Sequence, residues 1–230
     1  MKYAIALVTG MLIGAALFVA GMYFNPFAEQ LTVSPLAVSN DEHINFTYTA
    51  VPGETLLYTD HGESIIKTHP DRVAELWEPA VVDTRIAVTL LNNSRGQVAG
   101  LGIKFSTDSE QTAIINSKVL VNSTWHIYVP GQGTLLVDQI ENYWSYLREV
   151  VVPARWSSGD AWKGAFFRIM TRGPGALGTA RVTGGNGNFA GISSEAVESL
   201  TARAYSATLG PVSMDGGLTI TLPQAASGSE

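Results

Sequence analysis

The side chains most suited to proton transfer are the carboxyls Asp138, Glu141 and Glu149, which fall near the mouth of the barrel expected below. A carboxyl withdrawn from water holds its proton to higher pH and can then act as general acid or base. Left on the surface the three are ordinary solvated charges, and that is the first reading. The histidines His43, His61, His69 and His126 lack the close pairing that zinc sites use. They read as solvated or hydrogen-bonded side chains. No Gly-x-Ser-x-Gly elbow is present, and the absence of cysteine removes thiol nucleophiles, thiolate metal sites and disulfides. The catalytic residues are therefore unassigned, no metal or cofactor is expected, and the sequence leans toward a protein that is not an enzyme.

Two further segments could carry recognition. Thr183-Gly-Gly-Asn-Gly-Asn-Phe-Ala-Gly191 is rich in the residue that tolerates positive φ. It predicts a hairpin turn at Gly184–Gly187 with Phe189 dropped into a core. A phosphate loop is excluded, because no helix carrying a Lys-Ser/Thr pair follows. The stretch from Tyr143 to Phe167 gathers Trp144, Tyr146, Arg148, Arg155, Trp156 and Trp162. Trp, Tyr and Arg are the residues enriched in interface anchors. These six are the candidate docking residues, against the alternative that aromatic rings here pack a core.

The elements that must position these groups divide the chain in two. Ala4–Phe24 contains no charge and is long enough to cross about 30 Å of hydrocarbon. Tyr23, Phe24 and Phe27 suit the headgroup layer, and Asn25-Pro26 stops the helix. Gly10, Gly14 and Gly21 offer small surfaces for packing against another membrane helix. Lys2 precedes the run, and no Lys or Arg follows until Lys67. The positive-inside rule then puts the N-terminus in the cytoplasm. A cleaved signal peptide is the rival, disfavoured by the length of the run and by Phe18 beside the best cleavage candidate near Ala20.

Beyond the anchor, short Val-, Ile-, Thr- and Tyr-rich runs alternate with Gly, Asn and Pro turns. They predict an antiparallel β-barrel or sandwich with strands at His43–Ala50, Thr55–Thr59, Thr84–Leu91, Val98–Ser106, Thr112–Val121, Thr124–Val129, Thr134–Ile140, Ala165–Thr171, Gly178–Thr183, Ala202–Leu209 and Leu218–Leu222. Pro70–Glu78 reads as helix, and Gln139–Glu149 is open between helix and strand. The organisation is a membrane anchor at 1–24, a linker at 25–40, a β-barrel domain at 41–223 and a tail at 224–230. A net charge of −6 without a basic run excludes nucleic-acid binding.

The Thr183–Gly191 segment resembles the Gly-Gly-Thr-Gly-x-Phe-x-Gly turn of the allene oxide cyclase-like and dirigent-like barrels, with Asn186 at the Thr position, and Gly131-Gln-Gly-Thr134 is similar to their Gly-x-Gly-Thr strand entrance. The resemblance implies a small antiparallel barrel around a central cavity. It also implies either apolar or phenolic ligands, sometimes steered through cyclisation, or no activity. It carries over no catalytic residue.

Two functions follow as expectations. The first is a non-catalytic accessory subunit of a larger membrane complex, of photosynthetic or respiratory type, whose partners are other membrane proteins and the lipid bilayer. Its place would be a bacterial inner membrane, with the barrel in the periplasm. The alternative is an anchored barrel that binds, cyclises or isomerises a small apolar molecule. The interior discriminates: a subunit's barrel is filled with side chains, whereas a binder's holds a cavity with convergent polar groups.

Overall fold

The computed structural model describes residues 2–25, 34, 36, 42–54, 57–60, 63–65, 81–157 and 159–223. The expected helix Pro70–Glu78, the histidines His61 and His69, most of the linker and the tail 224–230 lie outside the described residues.

Helix α1 spans Lys2–Tyr23. Its 22 residues rise about 33 Å at 1.5 Å each, and none of them is buried. Strands β1 (Glu42–Thr49), β2 (Leu57–Asp60), β3 (Glu63–Ile65), β4 (Arg85–Asn92), β5 (Val98–Asp108), β6 (Leu120–Val129) and β7 (Gly133–Asn142) follow. A helical segment comes next: α2 (Trp144–Tyr146), a π turn (Leu147–Val151) and α3 (Val152–Trp156). Pro153 accounts for the irregular turn, because its ring clashes with the carbonyl of Glu149 and it has no N–H to donate. The chain ends in β8 (Ala161–Ile169), β9 (Thr171–Gly173), β10 (Ala180–Gly187), β11 (Ser193–Ser206) and β12 (Gly210–Leu222).

The strands pair antiparallel in the order β1–β12–β11–β10–β7–β6–β5–β4, and the ring closes where Thr47 of β1 meets Asn92 of β4. The fold is thus mostly β, a barrel behind an N-terminal apolar helix. One position in the wall is shared. β10 lies between β7 and β11 over one part of their length, while β8 takes up the rest of β11 and β9 the end of β7.

Side chains alternate across each strand, and this alternation fills the interior. Phe46, Leu91, Trp125, Ile127, Leu135, Val137, Val182 and Leu218 are among the residues packing one half. Tyr146, Val150, Phe166, Met170, Leu200 and Met214 pack a second cluster under the helical segment.

Two sequence expectations change. Thr112–Val121 is not a single strand. Its middle is a 3-10 turn, Ile114–Asn116, closed by Ala113–Lys118 pairing and by Ser117 at φ 57°. That reversal lifts Ile114 and Ile115 onto an exposed tip. The glycine-rich hairpin also reverses later than expected. β10 runs through Gly187 beside Gly133 of β7, and the chain turns over 188–192. Gly187 has φ 63°, where a β-carbon would strike the carbonyl of Gln132, and Phe189 does point into the core.

Candidate functional site

Lys104 of β5, Ser123 and Trp125 of β6, Gln139 and Glu141 of β7 and Glu198 of β11 all occupy inward positions of their strands. They meet between the two apolar clusters. Lys104 Nζ donates to Glu141 Oε1 at 2.9 Å and to both oxygens of Glu198 at 2.7 and 2.9 Å. The same ammonium lies 5.3 Å from the centre of the Trp125 ring, its direct cross-strand partner. Glu141 and Glu198 are 0% and 2% exposed.

The two carboxylates are held differently. Besides Lys104, Glu198 accepts from Trp125 Nε1 at 3.1 Å, from the Tyr48 hydroxyl and from Gln139 Nε2. Thr171 braces this shell: its hydroxyl donates to Gln139 Oε1 at 2.9 Å and accepts the Glu198 backbone N–H at 2.7 Å. Glu141 accepts from Ser123 Oγ at 2.6 Å and Tyr143 Oη at 3.0 Å.

Burial pushes the Glu198 carboxyl up, but the Lys104 charge and the donors around it outweigh burial and hold it below the ordinary carboxylate value. Burial, reinforced by the Glu198 charge, pushes Glu141 above that value despite Lys104 and Ser123. Lys104 would lose its proton by burial alone. The Glu141 and Glu198 charges reverse this and hold it well above its usual value. The site therefore contains a fixed ammonium, a fixed carboxylate and a second carboxyl drawn toward its neutral form. Burial likewise raises the Tyr48 and Tyr143 hydroxyls, which stay protonated donors.

This cluster floors a cavity of about 480 Å³. Ala50, Ala87, Val121, Leu200 and Met214 supply apolar walls, and Arg85, Asp108 and Pro211 lie toward its mouth. Arg85 and Asp108 pair there at 2.8 Å. Tyr146 is among the lining residues, and its hydroxyl is buried with no hydrogen-bond partner among the described residues. Gly216, opposite Tyr48 in the register, leaves the space that the Tyr48 ring occupies.

The carboxyls singled out from sequence separate cleanly. Glu141 is in the cavity floor, which corrects its reading as a surface charge. Asp138 points outward and accepts from Thr124 at 2.9 Å. Glu149 bridges Arg148 and Arg168 on the surface. Of the docking candidates, Trp144 and Tyr146 pack inward, and the Trp144 indole nitrogen is buried without a partner among the described residues. Trp162 is partly buried against the second cluster, and Arg155 is exposed. Trp156 is 75% exposed, with its ring centre 6.3 Å from that of Tyr23 at the end of α1. A β-carbon added at Gly10, Gly14 or Gly21 would meet nothing among the described residues outside the helix's own backbone. Those residues also hold no group of His, Asp and Glu arranged to bind a metal.

Sequence reasoning missed Lys104 and Glu198. Parity could have found them, since each lies an even number of positions from inward apolar or glycine residues: Gly100 and Gly102 for Lys104, Ala196, Leu200 and Ala202 for Glu198. A charge at core parity in a strand needs a buried partner.

No protein-family profile matches the chain, and no curated protein matches it. Among solved structures it is similar to the Diels–Alderase AbmU from Streptomyces koyangensis, at 10% identity and TM-score 0.37, over 91% of this chain and 83% of that one. It is also similar to a nonspecific heme-binding cyclase that catalyses [4 + 2] cycloaddition during neoabyssomicin biosynthesis, at 10% identity and TM-score 0.38, over 92% and 82%. These are cyclase-type proteins of a different family from the one the sequence resembles. The cavity described above, and not this likeness, stands against the expectation of a non-catalytic accessory subunit and against the leaning away from catalysis. Likeness at that level assigns no activity here. The interior carries the correction: a barrel serving only as a packing module would be filled, and this one holds a cavity floored by ionisable groups.

Proposed function

We propose that the protein is a membrane-anchored barrel that binds an apolar small molecule bearing a polar group, and that it isomerises or cyclises that molecule. The observation that carries the reading is the 480 Å³ cavity with apolar walls and the Lys104–Glu141–Glu198 cluster at its floor. Such a combination is what small-ligand sites share. The resemblance of Thr183–Gly191 to the allene oxide cyclase-like and dirigent-like barrels supports the same ligand class.

Isomerisation and cyclisation are redox-neutral, so a proton given at one atom and recovered from another completes the balance without a co-reactant. Glu141 in its neutral form would supply that proton through the Tyr143 hydroxyl bound to it, which would pass a proton to an oxygen of the ligand and later return it. Lys104 would stabilise the negative charge that develops on an oxygen nearby. Glu198 is a positioning residue: it holds Lys104 in place and keeps it charged. In this reading α1 stays in the bilayer with Lys2 on the cytoplasmic side, and the barrel faces the other side.

The experiment is purification of the full chain in mild detergent, solvent extraction and mass spectrometry, with binding of the apolar fluorophore N-phenyl-1-naphthylamine in parallel. A stoichiometric small molecule is expected, along with probe emission that Ala87→Trp abolishes by filling the cavity from the β4 wall. Probe binding that is unchanged in a folded Ala87→Trp variant, with no molecule extracted, would overturn the reading.

A further inference from the structure

We infer that the cavity opens onto the membrane surface, with the Ile114–Ile115 tip and Trp156 inserted in the lipid interface beside the end of α1, so that an apolar ligand enters from the bilayer. This rests on the anchor proposed above and goes beyond it, because an anchor alone leaves the direction of the mouth open.

Contacts among the described residues join the end of α1 and Asn25 to the barrel. The Tyr23 hydroxyl donates to the Arg148 carbonyl at 3.0 Å, Asn25 Nδ2 donates to Ser117 Oγ at 3.3 Å, and the Tyr23 and Trp156 rings lie 6.3 Å apart. Each hydrogen-bonded partner is close in sequence to a cavity residue. Ser117 stands just before Val119, and Tyr146 stands just before Arg148; Val119 and Tyr146 both line the cavity. Consecutive α-carbons are about 3.8 Å apart, which keeps each anchor contact within about 8 Å of the lining along the chain. Thus α1 leaves the lipid at the barrel end where Arg85, Asp108 and Pro211 frame the opening. The turn at 93–97 lies at the other end.

The surface at that end suits lipid. Ile115 is 67% exposed on a tip held by the Ala113–Lys118 bridge. Trp156 does not merely sit near the helix terminus: it faces Val19, Ala20 and Tyr23 across an apolar groove. Those α1 residues belong to the span itself, so Trp156 lies level with the boundary between headgroups and acyl chains, where indole rings are favoured. Lys118 and Arg155, both exposed on the same rim, can meet lipid phosphates, while the exposed carboxylates Asp83, Asp108 and Glu110 near it are opposing charges, Asp108 being paired with Arg85. An apolar ligand is concentrated in the bilayer and scarce in water, so a mouth at the interface would place the site next to its supply.

The native chain has no cysteine, so single-cysteine labelling tests this directly. Full-length Ile115→Cys and, from the far end of the barrel, Ser94→Cys would each be labelled with nitrobenzoxadiazole and reconstituted in phosphatidylcholine–phosphatidylglycerol vesicles. Some vesicles would carry a nitroxide-bearing phospholipid. The expected result is a blue shift and loss of emission at position 115, with neither at 94. A protein that floats with the vesicles but shows equal quenching at both positions, quenching at 94 alone, or none at either overturns this inference and leaves the anchor standing. A protein that does not float overturns the anchor and the inference together. Unaltered circular dichroism of both labelled variants keeps the comparison between folded proteins.

Discussion

Lys104→Met removes the one cation between two buried carboxyls while keeping most of the side-chain volume. Lys104 has five polar or charged neighbours bearing on it, Glu141 and Glu198 by direct hydrogen bond and Tyr143, Tyr48 and the Trp125 ring nearby. Taking one partner from a buried ion pair costs about 3–5 kcal/mol, because the remaining charge is left uncompensated. For a chain of this size that is a fall in Tm of roughly 6–20 °C, at about 2–4 °C per kcal/mol. The pH dependence has a definite sign. In the wild type Glu198 is depressed, so its stabilising contribution is present above the unfolded carboxyl value of about 4.3 and fades as pH falls through the lower folded value. Glu141 is raised and has the opposite sign, favouring the folded state as pH falls. Without Lys104 both carboxyls rise. The deficit of the variant should therefore be full at pH 8 and shrink as pH is lowered toward 5, where the folded state takes up protons that the unfolded chain does not. Thermal unfolding of the full chain in detergent, followed by near-ultraviolet circular dichroism across that pH range, measures it. A Tm within error of the wild type, or a deficit that grows toward acid, would refute the buried-charge account. Lys104→Met combined with Glu198→Gln should recover part of the loss, since it removes the charge left stranded.

Gly216→Val should push the Tyr48 ring from its place beside Glu198, costing about 1–3 kcal/mol by overpacking and weakening naphthylamine binding, as denaturant titration and probe titration would show. Gly187→Val places a β-branched residue at φ 63° and should cost about 1–3 kcal/mol in urea unfolding, with the cavity otherwise intact. Trp156→Ala should leave stability within about 0.5 kcal/mol in detergent because the ring is exposed, whereas Trp125→Ala should cost about 3–5 kcal/mol; equal effects on chemical denaturation would contradict the packing described.

The fold was largely legible because its signal is periodic. The expected strands Thr84–Leu91, Val98–Ser106 and Thr134–Ile140 coincide closely with β4, β5 and β7, whose alternation is strong and whose ends carry Asn and Gly turns. The strand expected at Ala202–Leu209 begins earlier, at Ser193, and ends at Ser206. Its first half, Ser-Ser-Glu-Ala-Val-Glu-Ser, contains polar residues that strand propensity counts against, and it is held by β10 and β12 on either side. Tertiary pairing thus supplies what local preference lacks. The helical segment was ambiguous for a related reason: Tyr143–Trp156 interleaves aromatics with Pro153, and the chain resolves the conflict with a π turn.

The site was less legible because its members are far apart in sequence and each is individually unremarked. Glu141 stood out as one of three acids, but nothing within its own strand separates it from Asp138 except parity. One position of difference, counted modulo two, puts Asp138 in water and Glu141 in the cavity floor. The ion pairs join β5 to β7 and to β11: Glu141 and Glu198 lie 37 and 94 residues from Lys104. Only the closed order of the barrel brings those strands around one cavity. Burial of a carboxyl is expensive unless it is paired, so an inward Glu at 141 and another at 198 together require a cation on a third inward position. Lys104 meets that requirement. The same logic makes the cluster informative about use. A barrel selected only for packing could replace the three by apolar side chains of similar volume at little or no cost in stability. Their presence beside an open cavity is the feature on which the proposed ligand, one that needs a proton donor and a fixed positive charge, rests.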